Sequence, residues 1–332
     1  MLRTFRSGRS TTRFGVPWAH LALVVTATAL SACSRVSPEM PRATVRLTTG
    51  PPGGGFYPIG QRLGAAWSRL LPNTQIDVRA SGGGVANVEE IQQGHADVGF
   101  TFADVAYIAY QGRLAGERRA FDRLRGIAVL QWTPVHLVVG PGSSIESVQA
   151  LRGRRVGLGP PRSGTALTAT LVLQAFGVDV NTVRTQLLPF EEAEHRLIAG
   201  ELDAMFDNAV YPAESVLRAT RAGARILPLT GGPVQQLSRN YPFLRMTLIP
   251  PDTYAGVSSA VHTVGVESLL VCRSDLDEAL VYELTKGFFA ALPSLSLSQD
   301  ALRFIDPEQA SATPIPLHDG AARYYREREL VQ

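Results

Sequence analysis

The sequence predicts an α/β fold built from two successive sets of strand–loop–helix units. Three observations carry that prediction. Short β-branched, apolar runs alternate with longer stretches at helical spacing, the pattern of a mainly parallel sheet flanked by helices. Glycine-rich loops stand between strand and helix in both sets. The chain has 332 residues, enough for two lobes, since a domain takes about 100–200.

Residues 45–49 read as the first strand, followed by a Gly/Pro loop over 50–55. Residues 58–71 then carry Ile59, Leu63, Ala66 and Leu70 on one helical face. A second strand covers 76–80, the loop Ser81-Gly82-Gly83-Gly84 follows, and a helix covers 85–93. The third strand covers 96–100, and a helix runs from Asp104 to 110, where Asp104 suits an N-cap. After Trp132 a second series begins with a strand at 135–139, a short helix at 145–151 and a strand at 155–158. The loop 159–165 leads to a helix at 166–176, then come strand 185–188, helix 190–199 and strand 204–206. A late strand (261–271) and helix (276–292) have no series of their own and are expected to return to the first set. Lobe 1 is therefore expected to comprise 43–132 and 268–332, and lobe 2 to comprise 133–267, with two crossings between them.

The first residues have a different character. Arg3, Arg6, Arg9 and Arg13 precede an apolar run over 21–30, the layout of a secretory signal and too short for a bilayer span of about 20 residues. Leu30-Ser31-Ala32-Cys33 resembles a bacterial lipobox, which implies a signal peptide over 1–32, lipidation of Cys33 and a polar tether over 33–42. Lipid chains hold a protein to a membrane through buried methylenes. Removing those four arginines takes the formal charge from +3 to 3 − 4 = −1, so no basic footprint for nucleic acid remains. The two cysteines are Cys33 and Cys272; with Cys33 acylated, Cys272 is expected to be a buried unpaired thiol. The six histidines show no metal-ligand spacing, so neither a metal nor a cofactor is expected.

Five motifs carry a family resemblance. Thr49-Gly50 with Gly53-Gly54-Gly55-Phe56-Tyr57-Pro58-Ile59-Gly60 comes first, then Ser81-Gly82-Gly83-Gly84-Val85-Ala86-Asn87. Ala96-Asp97-Val98-Gly99-Phe100 with Asp104-Val105-Ala106-Tyr107, Ser163-Gly164-Thr165, and a C-terminal stretch over 315–325 complete the series. In this order they resemble the TAXI receptors, the extracytoplasmic solute-binding proteins associated with TRAP transporters. The resemblance implies a two-lobed periplasmic-binding-protein fold with a central ligand cleft and hinge. It also implies a periplasmic location, a small carboxylate ligand such as glutamate or 2-oxoglutarate, and a TRAP-type membrane permease as partner. An ABC permease or a histidine kinase remains open as the partner.

The loops have their own chemistry. A glycine-rich loop before a helix presents free N–H groups and the positive dipole end, which together hold anions. Gly54, Gly55 and Tyr57, then Ser81, Gly82 and Gly84, then Arg162, Ser163, Gly164 and Thr165 are accordingly the expected ligand-binding residues. Asn87 and Asn208 join them, with Asn87 serving either the ligand or its own loop. Ordinary turns and N-caps would account for the same residues. Two stretches depart from the family pattern, Phe102-Ala103 and Asp207-Asn208-Ala209-Val210-Tyr211-Pro212. If they line the cleft, a carboxylate with an apolar or aromatic tail fits as well as glutamate. No G-x-S-x-G elbow, catalytic triad or Walker loop is found, and an enzyme is not expected.

Overall fold

The computed structural model describes residues 43–114, 116, 119–296, 302 and 305–329. The expected signal segment, the tether and Cys33 lie outside the described residues. The first series follows its prediction closely, as β1 (Ala43–Thr48), α1 (Phe56–Leu70), β2 (Thr74–Arg79), α2 (Gly84–Gln93), β3 (Val98–Phe102) and α3 (Ala103–Tyr110). A long strand, β4 (Leu124–Val139), leads to a 3₁₀ turn at Val148–Leu151, where a short helix was expected. Then come β5 (Arg155–Gly157), α4 (Gly164–Ala175), β6 (Arg184–Gln186), α5 (Phe190–Ile198) and β7 (Ala204–Asn208). Five elements lack an expected counterpart: α6 (Glu214–Arg221), β8 (Arg225–Leu227), α7 (Gly232–Asn240), β9 (Leu244–Ile249) and α9 (Asp319–Glu327). The long strand β10 (Val261–Arg273), then α8 (Glu278–Ser296) and α9, complete the described chain.

The strands form one series, β2-β1-β3-β10-β4-β7-β5-β6, with β8 beside β4 and β9 beside β10. It is not mainly parallel. β1 is parallel to β2 and β3, and β5 to β6 and β7, but β10 is antiparallel to β3, β4 and β9. β4 is also antiparallel to β7 and β8. The physical reason is that β4 and β10 are too long to belong to one βαβ set. β10 pairs with β3 at one end and with β9 at the other, while β4 pairs with β10 at one end and with β7 and β8 at the other. Where they run side by side, the register shifts between Glu267 and Leu269, opposite Trp132 and Val129. Ser268 thus faces two residues of β4, Leu130 and Gln131, a bulge that re-aims local side chains.

Three apolar clusters hold these elements. One joins β1, α1 and β3 to α8 and α9, with Trp67 and Tyr325 fully buried. Trp67 donates its indole N–H to Leu284 O at 3.0 Å, and a buried ring of this size is worth about 3–5 kcal/mol against alanine. The C-terminal motif belongs here: Tyr325 Oη donates to Ile127 O at 2.8 Å, and the N–H of His318 donates to Gly126 O at 2.9 Å. That motif clamps α9 onto β4. A second cluster packs α5 and α6 on β7 and β8, while the third runs from α2 and α3 across to α4 and α7. Cys272 is unpaired and fully buried in β10, as expected, and burial pushes its thiol pKa up.

Candidate functional site

A cavity of about 600 Å³ opens where the two strand series meet. Its first wall is made of helix N-termini. The first few N–H groups of any helix lack an intrahelical acceptor. At α4, Ser163 Oγ takes the N–H of Ala166 at 3.2 Å, and at α2 the N–H of Ala86 goes to Arg162 O at 3.1 Å. The amides of Phe56, Gly84, Gly164 and Thr165 find no acceptor in the protein among the described residues, and all four residues line the cavity.

Glycine is required for this convergence at two points. Gly83 has φ 116°, and a Cβ there would stand 3.3 Å from Ser163 Cα, so the α2 and α4 loops touch. Gly164 lies against Phe102, where a Cβ would come within 2.4 Å of Cδ2. Phe102 packs in turn on Phe56 at the start of α1, with ring centroids 5.0 Å apart. The expected residues Gly54, Gly55, Tyr57, Gly84, Ser163, Gly164, Thr165 and Asn208 all line the cavity.

Four other expected residues are not among those that line it. Asn87 is fully buried and donates to Thr49 O and Phe100 O, while its Oδ1 accepts from Ser81 Oγ at 2.6 Å. Ser81 Oγ accepts from the N–H of Gly83 at 3.0 Å. These two side chains therefore tie the loops to each other. Gly82 stands behind the loop, where a Cβ would come 3.0 Å from Pro161 O. Arg162 has φ 60° and pairs with Glu89 of α2. Nor is Asp104 an N-cap: it is the second residue of α3, fully buried, and its Oδ2 accepts from Thr168 Oγ1 at 2.6 Å. Burial pushes its carboxyl up to about 6.

The second wall comes from strand ends and the segment after β7. Gln131 and Thr133 of β4 and Ser268 of β10 line the cavity, with Thr133 Oγ1 and Ser268 Oγ 2.7 Å apart. Asp207 through Ser215 lines it continuously, so the 207–212 stretch singled out from the sequence does form a wall. Two polar side chains here lack partners. Both amide atoms of Asn208, 7% exposed, and Oε1 of Gln131, 3% exposed, have no hydrogen bond. Leaving such groups buried and unsatisfied costs about 1–3 kcal/mol each, which a ligand would recover.

Behind this wall sits a buried network. Asp207 Oδ2 accepts from Ser215 Oγ at 2.6 Å, and burial pushes the Asp207 carboxyl up to about 6. His136 sits between Asp207 O, 3.2 Å from Nδ1, and the Tyr254 hydroxyl, 3.0 Å from Nε2. Burial pushes its imidazole pKa down to about 4. The Tyr254 hydroxyl also accepts the N–H of Ala213 at 2.8 Å, which anchors the wall to the loop after β9. Sequence reading missed Gln131, Thr133 and Ser268. Their signal was polarity inside strands otherwise apolar on both faces.

A family model matches residues 47–328, and it is that of the NMT1-like family. The chain belongs to the NMT1-like family. Solved structures share the fold at low identity. MatC from Rhodopseudomonas palustris, solved with bound malate, is 17% identical with a TM-score of 0.56, covering 88% of this chain and 100% of that one. The periplasmic binding protein BugD is 12% identical with a TM-score of 0.55, covering 88% and 95%. A putative L-cystine ABC transporter from Listeria monocytogenes is 15% identical with a TM-score of 0.50, covering 80% and 98%. This NMT1-like chain therefore has the two-lobed fold of periplasmic binding proteins.

Proposed function

We propose that the protein is an extracytoplasmic solute-binding receptor that captures a small organic anion and delivers it to a membrane permease. The observation that carries this reading is the pairing of free helix N-termini with the unsatisfied Asn208 and Gln131 in one cavity. Such a cavity offers hydrogen bonds that water or a ligand must complete. Membership of the NMT1-like family and the likeness to binding proteins support the same class.

Lobe 1 comprises 43–132 and 268–332, and lobe 2 comprises 133–267. The boundary falls on β4 and β10, beside the register shift at Ser268. Closure about these two strands lets the ligand bridge both lobes, and its differential affinity stabilises the closed form. The motif series supports a TAXI-type receptor feeding a TRAP permease. The likeness to a putative L-cystine ABC transporter favours, as second reading, an ABC permease.

A thermal-shift screen of the purified protein against organic acids, amino acids and neutral solutes tests the receptor role. A ligand that binds only the folded state raises the melting temperature as its concentration passes Kd. A saturable shift with an acid is expected; shifts with neutral or cationic solutes alone would overturn the anion assignment. The reading also includes a signal peptide over 1–32 and a lipid anchor at Cys33. Cys33→Ser is then expected to leave the membrane fraction, and a processed variant that stays there would remove the anchor.

A further inference from the structure

The same cavity carries a narrower conclusion about its ligand, and this inference rests on the receptor reading above. Three features bear on it. The first is the number of anion positions. The α1, α2 and α4 N-termini do not make three separate sites, because all of them meet around Phe102. Its ring lies 5.0 Å from that of Phe56, and it touches Gly164. A Cβ on Gly84 would come within 3.6 Å of Phe102 N, and one on Gly83 within 3.3 Å of Ser163 Cα. The positive helix ends therefore reinforce one another at a single place.

The second feature is charge. Among the described residues that line the cavity there is no Arg, Lys or His; the charged ones are Asp207 and Glu214. Any further anionic group on a ligand meets only like charge there, and like charges within a few ångströms disfavour one another. The third is shape. About 600 Å³ is within the range of about 300–1,000 Å³ that holds drug-sized ligands. Phe190, Val210, Tyr211 and Pro212 give the wall beyond the helix ends an apolar, aromatic character. A four- or five-carbon diacid would fill little of this space and leave that wall uncovered.

We infer that the receptor selects organic monoanions with an apolar, preferably aromatic, body and discriminates against dicarboxylates. The anionic group sits at the joined helix ends and the body lies against Phe190 and Tyr211. A neutral hydrogen-bonding group on the ligand satisfies Asn208 and Gln131, or donates to Asp207. Glutamate is disfavoured too, since both of its carboxylates need a positive partner.

Isothermal titration of the purified protein at neutral pH with 3-phenylpropionate, 3-(4-hydroxyphenyl)propionate, octanoate, succinate, 2-oxoglutarate and glutamate tests this directly. The arylpropionates are expected to bind at least about ten-fold more tightly than either diacid or glutamate, because like-charge juxtaposition suppresses wrong partners. A diacid or glutamate that binds as well as the best monoanion overturns the inference while leaving the receptor role intact. In Asp207→Asn the diacids are expected to gain about ten-fold as the like charge goes. Glu214→Gln, on an exposed side chain, repeats the test where folding is not at issue, and unchanged diacid affinity in both variants counts against the charge argument. Should none of the six bind, native mass spectrometry of the protein as purified decides. A retained organic monoanion supports the inference and a retained dianion overturns it. No retained compound overturns the receptor reading itself.

Discussion

The two walls of the cavity are built on different physical principles. The helix wall, from Phe56, Gly84 and Gly164, offers backbone N–H groups and dipoles, and Gly83 and Gly164 let its loops touch. The strand wall, from Gln131, Ser268 and the Asp207–Ser215 segment, offers side chains whose positions depend on a bulge and a buried network. The first wall is local and rigid in kind, since a glycine-rich turn into a helix makes its own anion site. The second exists only because distant strands meet. Affinity for an anionic group therefore belongs to the helix wall, and selection among anions to the strand wall.

Titration behind each wall gives the largest expected effects, with opposite signs. Asp104 lies behind the helix wall, its carboxyl raised to about 6 by burial. Its contribution to stability is fully present below about pH 4 and lost as the pH rises through 6, an effect of about 3 kcal/mol. His136 lies behind the strand wall with its pKa lowered to about 4. Its contribution is present above about pH 6.5 and lost as the pH falls through 4, by a similar amount of about 3 kcal/mol. Denaturant titrations from acid to neutral pH are expected to show Asp104→Asn more stable relative to wild type as the pH rises. His136→Gln is expected to gain relative stability as the pH falls. Identical pH slopes in both variants and wild type would remove this distinction between the walls.

The next effect is on binding. Asn208 has two amide atoms without a partner in the protein, so Asn208→Leu is expected to keep or raise stability while lowering ligand affinity about ten- to hundred-fold. A variant that loses stability with unchanged affinity would show that Asn208 serves the fold alone. The smallest effect belongs to Arg162. Its side chain is paired with Glu89 and largely exposed, so Arg162→Ala is expected to change affinity by less than about two-fold, in line with exposed ion pairs. A loss as large as that of Asn208→Leu, measured by the same titration, would bring Arg162 into the site on closure.

Most of the fold was legible because its signals are local. The spacing of Ile59, Leu63 and Ala66 marks a helix face wherever that helix docks, and all three are buried. The glycine loops were legible for the same reason. The misreadings cluster where the chain departs from a repeated βαβ pattern. Residues 124–134 of β4 belong to no repeated unit, the three-residue β8 pairs with the distant β4, and α6, α7 and β9 are short elements outside that pattern. Ser81 and Arg162 are expected at a ligand because their types suit one, and Asn87 at either the ligand or its own loop. The structure commits Asn87 and Ser81 to one another and Arg162 to Glu89, since loops that converge must satisfy their own polar groups first.

By itself, then, the sequence determined the α/β class, the order of most elements and the three helix ends that face the cavity. These follow from periodicity and turn chemistry over fewer than about twenty residues. The tertiary structure alone decided that the sheet is mixed, that the three helix ends join around Phe102, and that Gln131, Ser268 and Asn208 face the same space. Each of those outcomes depends on the antiparallel pairing of β4 with β10 and β7. Pairing between strands so far apart in the sequence leaves no periodic trace in either strand, because register is set by packing that only the assembled core supplies.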